Sequence, residues 1–330
     1  MPLAVTGSIA TDHLMSFPGR FSDHLLPDQL HRVSLSFLVD DLDVRRGGVA
    51  ANISYGLARL GLRPVLVGAV GADFAEYRAW LERHGVDTAS VHVSDLRHTA
   101  RFVCTTDQQQ NQIASFYAGA MAEAREIELG TIADRVGGFD LVVVSPNDRV
   151  AMVRHTQECR HRGYPFVADP SQQLSSLDDD AIRDLVDGAA YLFTNEYERG
   201  LIESKSGWSG EEVLARVDVR VTTLGAAGAL VERRDEPAVK VGVPPGVRVT
   251  DPTGVGDAFR AGFLAARTWE LGFERAAQVG TLLAGLVLET VGTQEYDLRP
   301  AELLARMSTA YGADAAAEVA PHLPADPVSS

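Results

Sequence analysis

Along the chain, short apolar runs rich in β-branched residues alternate with longer stretches whose apolar positions recur every three or four residues. The runs at 3–8 (LAVTGS), 64–71 (PVLVGAVG), 140–145 (DLVVVS), 165–170 (PFVADP), 191–195 (YLFTN) and 219–225 (VRVTTLG) are mostly unalternating. Such runs predict strands buried on both faces of a parallel sheet. Between them the spacing predicts helices with readable ends. In 49–60, Val49, Ile53, Leu57 and Leu60 form one stripe, which Gly61 ends. A helix over 73–84 takes Asp73 as N-cap and stops at Gly85, and one over 148–162 starts near Asp148 and stops at Gly163. This βαβα alternation predicts an α/β fold, a doubly wound, mostly parallel sheet flanked by helices. Ligands then bind at the carboxyl ends of its strands.

Two regions break the rhythm. Residues 13–47 hold turn signals and the alternating 31–45 (HRVSLSFLVDDLDVR), and 98–117 read as a hairpin around the polar DQQQN. In the hairpin, Phe102, Cys104, Ala114 and Phe116 share one face, and Val103, Ile113 and Tyr117 the other. Apolar groups on both faces mean that neither is simply wet. One reading is a small β lid, with one face over a ligand and the other against the body or a second copy; the alternative is an edge hairpin packed on the core. The lid reading divides the chain into a core of 1–12, 48–97 and 118–330 and a lid of 13–47 and 98–117. The C-terminal 312–330 reads as a short helix and a loose tail.

Composition narrows the function. With 45% hydrophobic and 23% charged residues, the 330-residue chain has enough apolar content for a packed core. A net charge of −15 argues against nucleic acid or an anionic membrane as partner. Two distant cysteines, Cys104 and Cys159, exclude a disulfide framework. Reduced thiols, no secretory signal and no long apolar span are the expectation for a cytoplasmic protein. His155, Cys159 and His161 cluster on one helix, but no fourth ligand is evident, so zinc is not expected.

The chemistry concentrates in 251–263, DPTGVGDAFRAGF. It is no dinucleotide fingerprint, because Phe259 stands where a third small residue belongs, which leaves an NAD dehydrogenase a distant reading. It is no Walker A loop either, because neither Lys205 nor Lys240 follows a glycine. What remains is a turn whose amides at Gly254, Val255, Gly256 and Asp257 open a helix and can cradle an anion without a cationic side chain. A carboxylate at that mouth has one natural task, taking the proton of a hydroxyl that attacks a held phosphoryl group. The alternative is a first-turn acid that stabilises the helix dipole.

DPTGVGDAF resembles the second signature of the ribokinase-like (PfkB-type) carbohydrate kinases, and 46–61 (RGGVAANISYGLARLG) resembles their first. TNEYE at 194–198 is similar to their N-x-x-E motif, and TTLGAAG at 222–228 to their T-x-G-x-x-G segment. The four motifs occur in the family's order and span about residues 5 to 300. The resemblance implies a kinase that uses ATP and Mg²⁺, with Asp257 as general base over the cradle of Gly254, Val255 and Gly256. It implies Mg²⁺ near Asn195 and Glu198, held through water, where the alternative is a surface Glu with a capping Asn. Thr223, Gly225, Gly228 and Asn195 then face ATP, unless the glycines only make a β-turn. Ser8, Asp12, Gly47, Gly48 and Asn52 face the acceptor's hydroxyls, with an N-cap the other reading of Asp12. Asp251 resembles the family's monovalent-cation ligand, for an ion such as K⁺.

The departures from the family are informative. Val255 replaces a small residue in the cradle, where only its amide is needed. Val49 stands where ribokinase-type sugar kinases carry lysine, which suits a nucleoside better than a free sugar. Phe102 and Phe116 offer stacking surfaces for a flat base, worth roughly 1–3 kcal/mol per base. Gln172 and Gln173 can read a purine edge through their amides. The segments AVTGSIATDHL, DPSQQL and DPTGVGDAFRAGFL resemble the actinobacterial adenosine kinases of this family. That resemblance implies ATP plus adenosine giving ADP plus AMP, while the two apolar faces of the hairpin are the reason to expect a homodimer formed through the lid. A kinase for ribose, a hexose phosphate or another nucleoside, or a non-catalytic nucleoside-binding regulator on the same scaffold, are the competing readings.

Overall fold

The computed structural model describes residues 2–25, 32 and 34–325. Outside them lie 26–31 and 33 of the lid segment, including the start of its alternating stretch, and the last five residues of the C-terminal tail.

The described strands are β1 Leu3–Thr6, β2 Ala10–Ser16, β3 Asp41–Gly47, β4 Val65–Val67, β5 Ala69–Gly71, β6 His92–Ser94, β7 Ala100–Thr106, β8 Gln112–Tyr117, β9 Leu141–Val144, β10 Phe166–Ala168, β11 Tyr191–Asn195, β12 Val219–Thr223, β13 Ala229–Glu232 and β14 Val239–Val241. The helices are α1 Val49–Arg59, α2 Ala75–Arg83, α3 Leu129–Val136, α4 Arg149–Arg162, α5 Asp179–Val186, α6 Glu196–Ser206, α7 Gly210–Leu214, α8 Val255–Thr268, α9 Phe273–Leu288, α10 Pro300–Tyr311 and α11 Ala313–Val319.

Eight strands form the main sheet in the order β14-β13-β12-β11-β10-β9-β1-β4. From β12 to β4 the pairing is parallel, and β13 and β14 add an antiparallel edge. The parallel strands are almost wholly buried, as their unalternating sequences require. Helices cover both faces: α1, α8 and α9 pack with one core cluster, and α3 to α6 with a second. The observed architecture is the expected doubly wound, mostly parallel sheet flanked by helices.

Three local readings need correction. The run at 64–71 is two strands in two sheets, β4 beside β1 and β5 beside β6. The chain bends at Gly68, where a Cβ would meet the Gly7 carbonyl at 2.7 Å, so only glycine lets the backbone cross β1 that closely. Asp73 is not an N-cap. It lies in a 3₁₀ turn before α2, and its carboxylate takes the Thr99 amide at 2.9 Å and the Thr99 hydroxyl at 2.7 Å instead. The edge strands β13 and β14 were hidden because they are short, half-exposed and flank charged turns.

A second sheet, ordered β3-β2-β7-β8, stands over the carboxyl ends of the first. Its hairpin has the predicted faces, with Phe102 opposite Phe116 and Cys104 opposite Ala114. Strand β2 begins at Ala10, so this sheet crosses the boundary drawn at residue 12.

Helices α8 and α9 approach too closely for side chains at their crossing. A Cβ at Gly262 would meet the Val279 carbonyl at 2.7 Å and the Gly280 Cα at 2.8 Å. Gly262→Ala should therefore lower stability by roughly 1–3 kcal/mol through overpacking, read as a lower denaturant midpoint at unchanged slope.

Candidate active site

Helix α8 opens at Gly254, whose φ of 76° lies in the left-handed region. A Cβ there would strike Thr293 Cγ2 at 2.7 Å, so both backbone and space demand glycine. The Ala258 amide is the first to bond back, to the Gly254 carbonyl at 2.9 Å. The amides of residues 255–257 accordingly point out of the helix end, with Val255 reaching Pro252 O only at 3.4 Å. These are the free amides that an anion cradle needs, and the Val255 side chain lines a neighbouring cavity.

Asp257 sits at the cradle, and Asn52 Nδ2 donates to its Oδ2 at 2.9 Å. Asn52 in turn is fixed by Thr293 Oγ1 and Gln294 Nε2, each donating to its Oδ1 at 2.9 Å. Gln294 also donates to the Tyr77 hydroxyl at 2.5 Å, and Tyr77 donates to the Gly47 carbonyl at 3.0 Å. Burial pushes the Asp257 carboxyl up to about 7, while Arg260 and the Asn52 bond hold it down.

Asp257 opens onto a cavity of about 510 Å³. Ser8, Asp12, Gly48, Asn52, Phe102, Phe116, Gln172 and Gln173 all reach its wall, beside Gly254 and Gly256. Asp12 projects from β2, and burial lifts its carboxyl to about 6, against the pull of Arg45. Gly47 lies behind it, where a Cβ would come within 3.0 Å of the Asp12 carboxylate. The Ser8 hydroxyl is already used, accepting from the Val49 amide at 3.0 Å at the start of α1. Gln173 is likewise tied down, donating to Asn147 O and accepting from Ser176. Its neighbour Gln172 is the better placed of the pair to meet a ligand.

A second cavity, of about 430 Å³, lies on the other side of the glycine turn. Thr223, Gly225 and Gly228 line it with the apolar Val243, Val247 and Leu288. Gly228 has a φ of 92°, and a Cβ there would collide with Val241 O at 1.9 Å. Both cavities touch Gly256. The slot is of the size and apolarity that a nucleotide base requires.

Asn195 and Glu198 form a reciprocal capping box on α6, each donating its amide to the other's side chain at 2.8 Å. The other Glu198 oxygen is not used in this box, and burial raises the Glu198 carboxyl, with Asp169 adding to it. The capping reading thus has its bonds, and the remaining Glu198 oxygen is the one group of this pair that fits a hydrated Mg²⁺. Asp251 accepts from the Thr253 and Gly292 amides at 2.9 and 3.1 Å, with Arg45 3.5 Å away. A monovalent cation there would have to share these partners.

Two site features escaped sequence reasoning. Thr293 and Gln294, in VGTQEY, carry no signal of their own. Arg260 did carry one, a lone cation inside the apolar AFRAGFLAA. Arg260 is buried, 7% exposed, and its guanidinium lies 2.6 Å from the fully buried Asp169. His155, read above without a metal role, shares hydrogen bonds with Thr6 Oγ1 and Ile127 O.

Residues 11–299 match the family model of the pfkB family carbohydrate kinases. The chain belongs to that family. A nucleoside kinase of Methanothermobacter thermautotrophicus is 32% identical over 270 residues, covering 81% of this chain and 85% of that protein. A nucleoside kinase of Methanocaldococcus jannaschii is 27% identical over 257 residues, covering 75% and 80%. The structure of a Burkholderia thailandensis nucleoside kinase in complex with inosine is similar with a TM-score of 0.81 at 35% identity, covering 94% of this chain and 98% of that one.

An acid raised by burial is fully ionised only above its shifted value, so a base at Asp257 is active on the alkaline side. We expect kcat/KM to fall tenfold per pH unit below about pH 7. Asn52→Ala removes a bond that lowers the Asp257 value, and should move this limb to higher pH. A pH–rate profile of both proteins checks the direction.

Proposed function

We propose that this protein is an ATP-dependent nucleoside kinase that phosphorylates the 5′-hydroxyl of purine nucleosides, adenosine among them. One observation carries the reading: two cavities meet at a single glycine turn, and the carboxylate of that turn faces only one of them. The cavity with Asp257 is the acceptor site, and the apolar one with Gly225 and Gly228 is the ATP site. The nucleoside-kinase relatives support the acceptor class, as does a second structure of the Burkholderia thailandensis enzyme, in complex with ADP-inosine, at 37% identity.

Asp257 takes the proton of the 5′-hydroxyl as its oxygen attacks the γ-phosphorus. The new O–P bond forms as the bond to the β-phosphate oxygen breaks, and ADP leaves. The amides of residues 255–257 meet the charge that develops on the equatorial oxygens. Mg²⁺, near Asn195 and Glu198, supplies charge neutralisation for the ATP phosphates when bound. Asp12 grips the ribose hydroxyls, since a carboxylate accepting two hydroxyls is strong and directional. The Phe102–Phe116 pair lies over the base. Phe116 is 53% exposed, so closing the second sheet over a base would bury it and exclude water, the competing nucleophile. That sheet then acts as the lid. Its outer face shows Leu42, Val44, Ile113 and Tyr117 to solvent, an apolar surface suited to a second copy of this chain.

Asp257→Asn should lower kcat by roughly 10²–10⁴ with little change in nucleoside binding. Normal turnover in that variant removes the base. A coupled ADP-release assay with adenosine, inosine, cytidine and ribose tests the acceptor; the proposal fails if ribose is used and no purine nucleoside is. Light scattering on the parent and Val103→Asp should show a dimer that the charge splits; a monomeric parent removes the lid-mediated pairing.

A further inference from the structure

Beneath the glycine turn lies a buried ion pair that the proposed reaction does not yet use. Arg260 stands one turn along α8 from Gly256, and its side chain runs back toward the start of the helix. Its Nη1 fills the space that a side chain at Gly256 would take, 2.6 Å from an ideal Cβ there. Its Nη2 contacts Asp169 Oδ1 at 2.6 Å and donates to Ser171 Oγ at 2.8 Å. Ser171 donates to the same Asp169 oxygen at 2.7 Å, and its φ of 42° is strained for a serine. Among the described residues, Asp169 Oδ2 and Arg260 Nε are buried without a partner. An ion pair taken this far from water is no gain in stability over apolar packing. Its presence, strained and half-satisfied directly under Gly256 of the glycine turn, points to a task at the site.

We propose that Asp169, Ser171 and Arg260 are positioning residues that set the charge on Asp257 and tie the acceptor-facing turn to the phosphate cradle. The proposal rests on Asp257 being the base. Ser171 opens the 3₁₀ turn Ser171–Ser175, which carries Gln172 and Gln173 into the acceptor cavity. The same three side chains therefore join both halves of the reaction. Around Asp257, Arg260 comes from its own helix, Asp169 from the end of β10, and neutral Asn52 from α1. Glu198 of α6 acts on Arg260, neutral Thr293 closes the cradle, and Asp12 faces the cavity from β2. Arg260 stabilises the ionised base, and Asp169 opposes it.

The two members of the pair thus act on Asp257 with opposite sign. The test is the acid limb of kcat/KM between about pH 5 and 9 in the full-length protein. Arg260→Gln should move the limb up by about one pH unit, and Asp169→Asn should move it down by about as much. The double variant should return close to the parent. Arg260→Lys keeps the charge and should keep the limb, so with Asp169→Asn it decides the matter if Arg260→Gln does not fold. Limbs that coincide with the parent in both single-charge variants, or an Arg260→Lys limb displaced as far as that of Arg260→Gln, overturn the proposal. Asp257→Asn runs beside them: an inactive Asp257→Asn with unmoved limbs sinks the ion pair alone, whereas an active one sinks the base.

Discussion

A half-buried carboxylate at the amino end of a helix is the constraint on which the rest of this molecule depends. Asp257 lies beside the free amides of α8. The same burial penalises its charge and lifts it to about 7. Every nearby polar contact bears on that conflict. Asn52 donates to it, Thr293 and Gln294 hold Asn52, and Arg260 supplies a positive charge from below. Charging such an acid costs the folded state, so this residue's contribution to stability falls as pH rises from about 4 to about 7. Function and stability pull apart at one side chain, as they do where a site keeps a perturbed acid.

The fold supplies the means. In a parallel sheet, all the carboxyl ends open on one side, and here Ser8, Asp169, Asn195 and Thr223 all follow or end strands on that side, with Ser8 lining one cavity and Thr223 the other. The second sheet brings Asp12 and the two phenylalanines over that crevice from β2 and the β7–β8 hairpin. The two cavities are thus separated by a single turn, at Gly256.

Much of this was legible in the chain. The buried strands, the glycine stops at Gly61 and Gly163, and the hairpin faces follow from neighbours a few residues apart. So do the helix start at Gly254 and the capping box of Asn195 and Glu198, whose three-residue spacing was visible before its bonding was. Less legible were features that arise where distant segments cross. Gly68 splits one run into two sheets only because β1 passes beneath it, and Asp73 serves Thr99 rather than a helix.

The sequence by itself determined the architecture, the anion cradle and the acid that stands at it, because period, turn chemistry and helix ends are written in adjacent residues. Only the tertiary structure decided what state that acid is in. Asn52 reaches Asp257 across 205 residues, and Arg260 meets Ser171 across 89. A carboxylate's charge depends on its burial and on the charges that packing brings around it, and no local pattern records either.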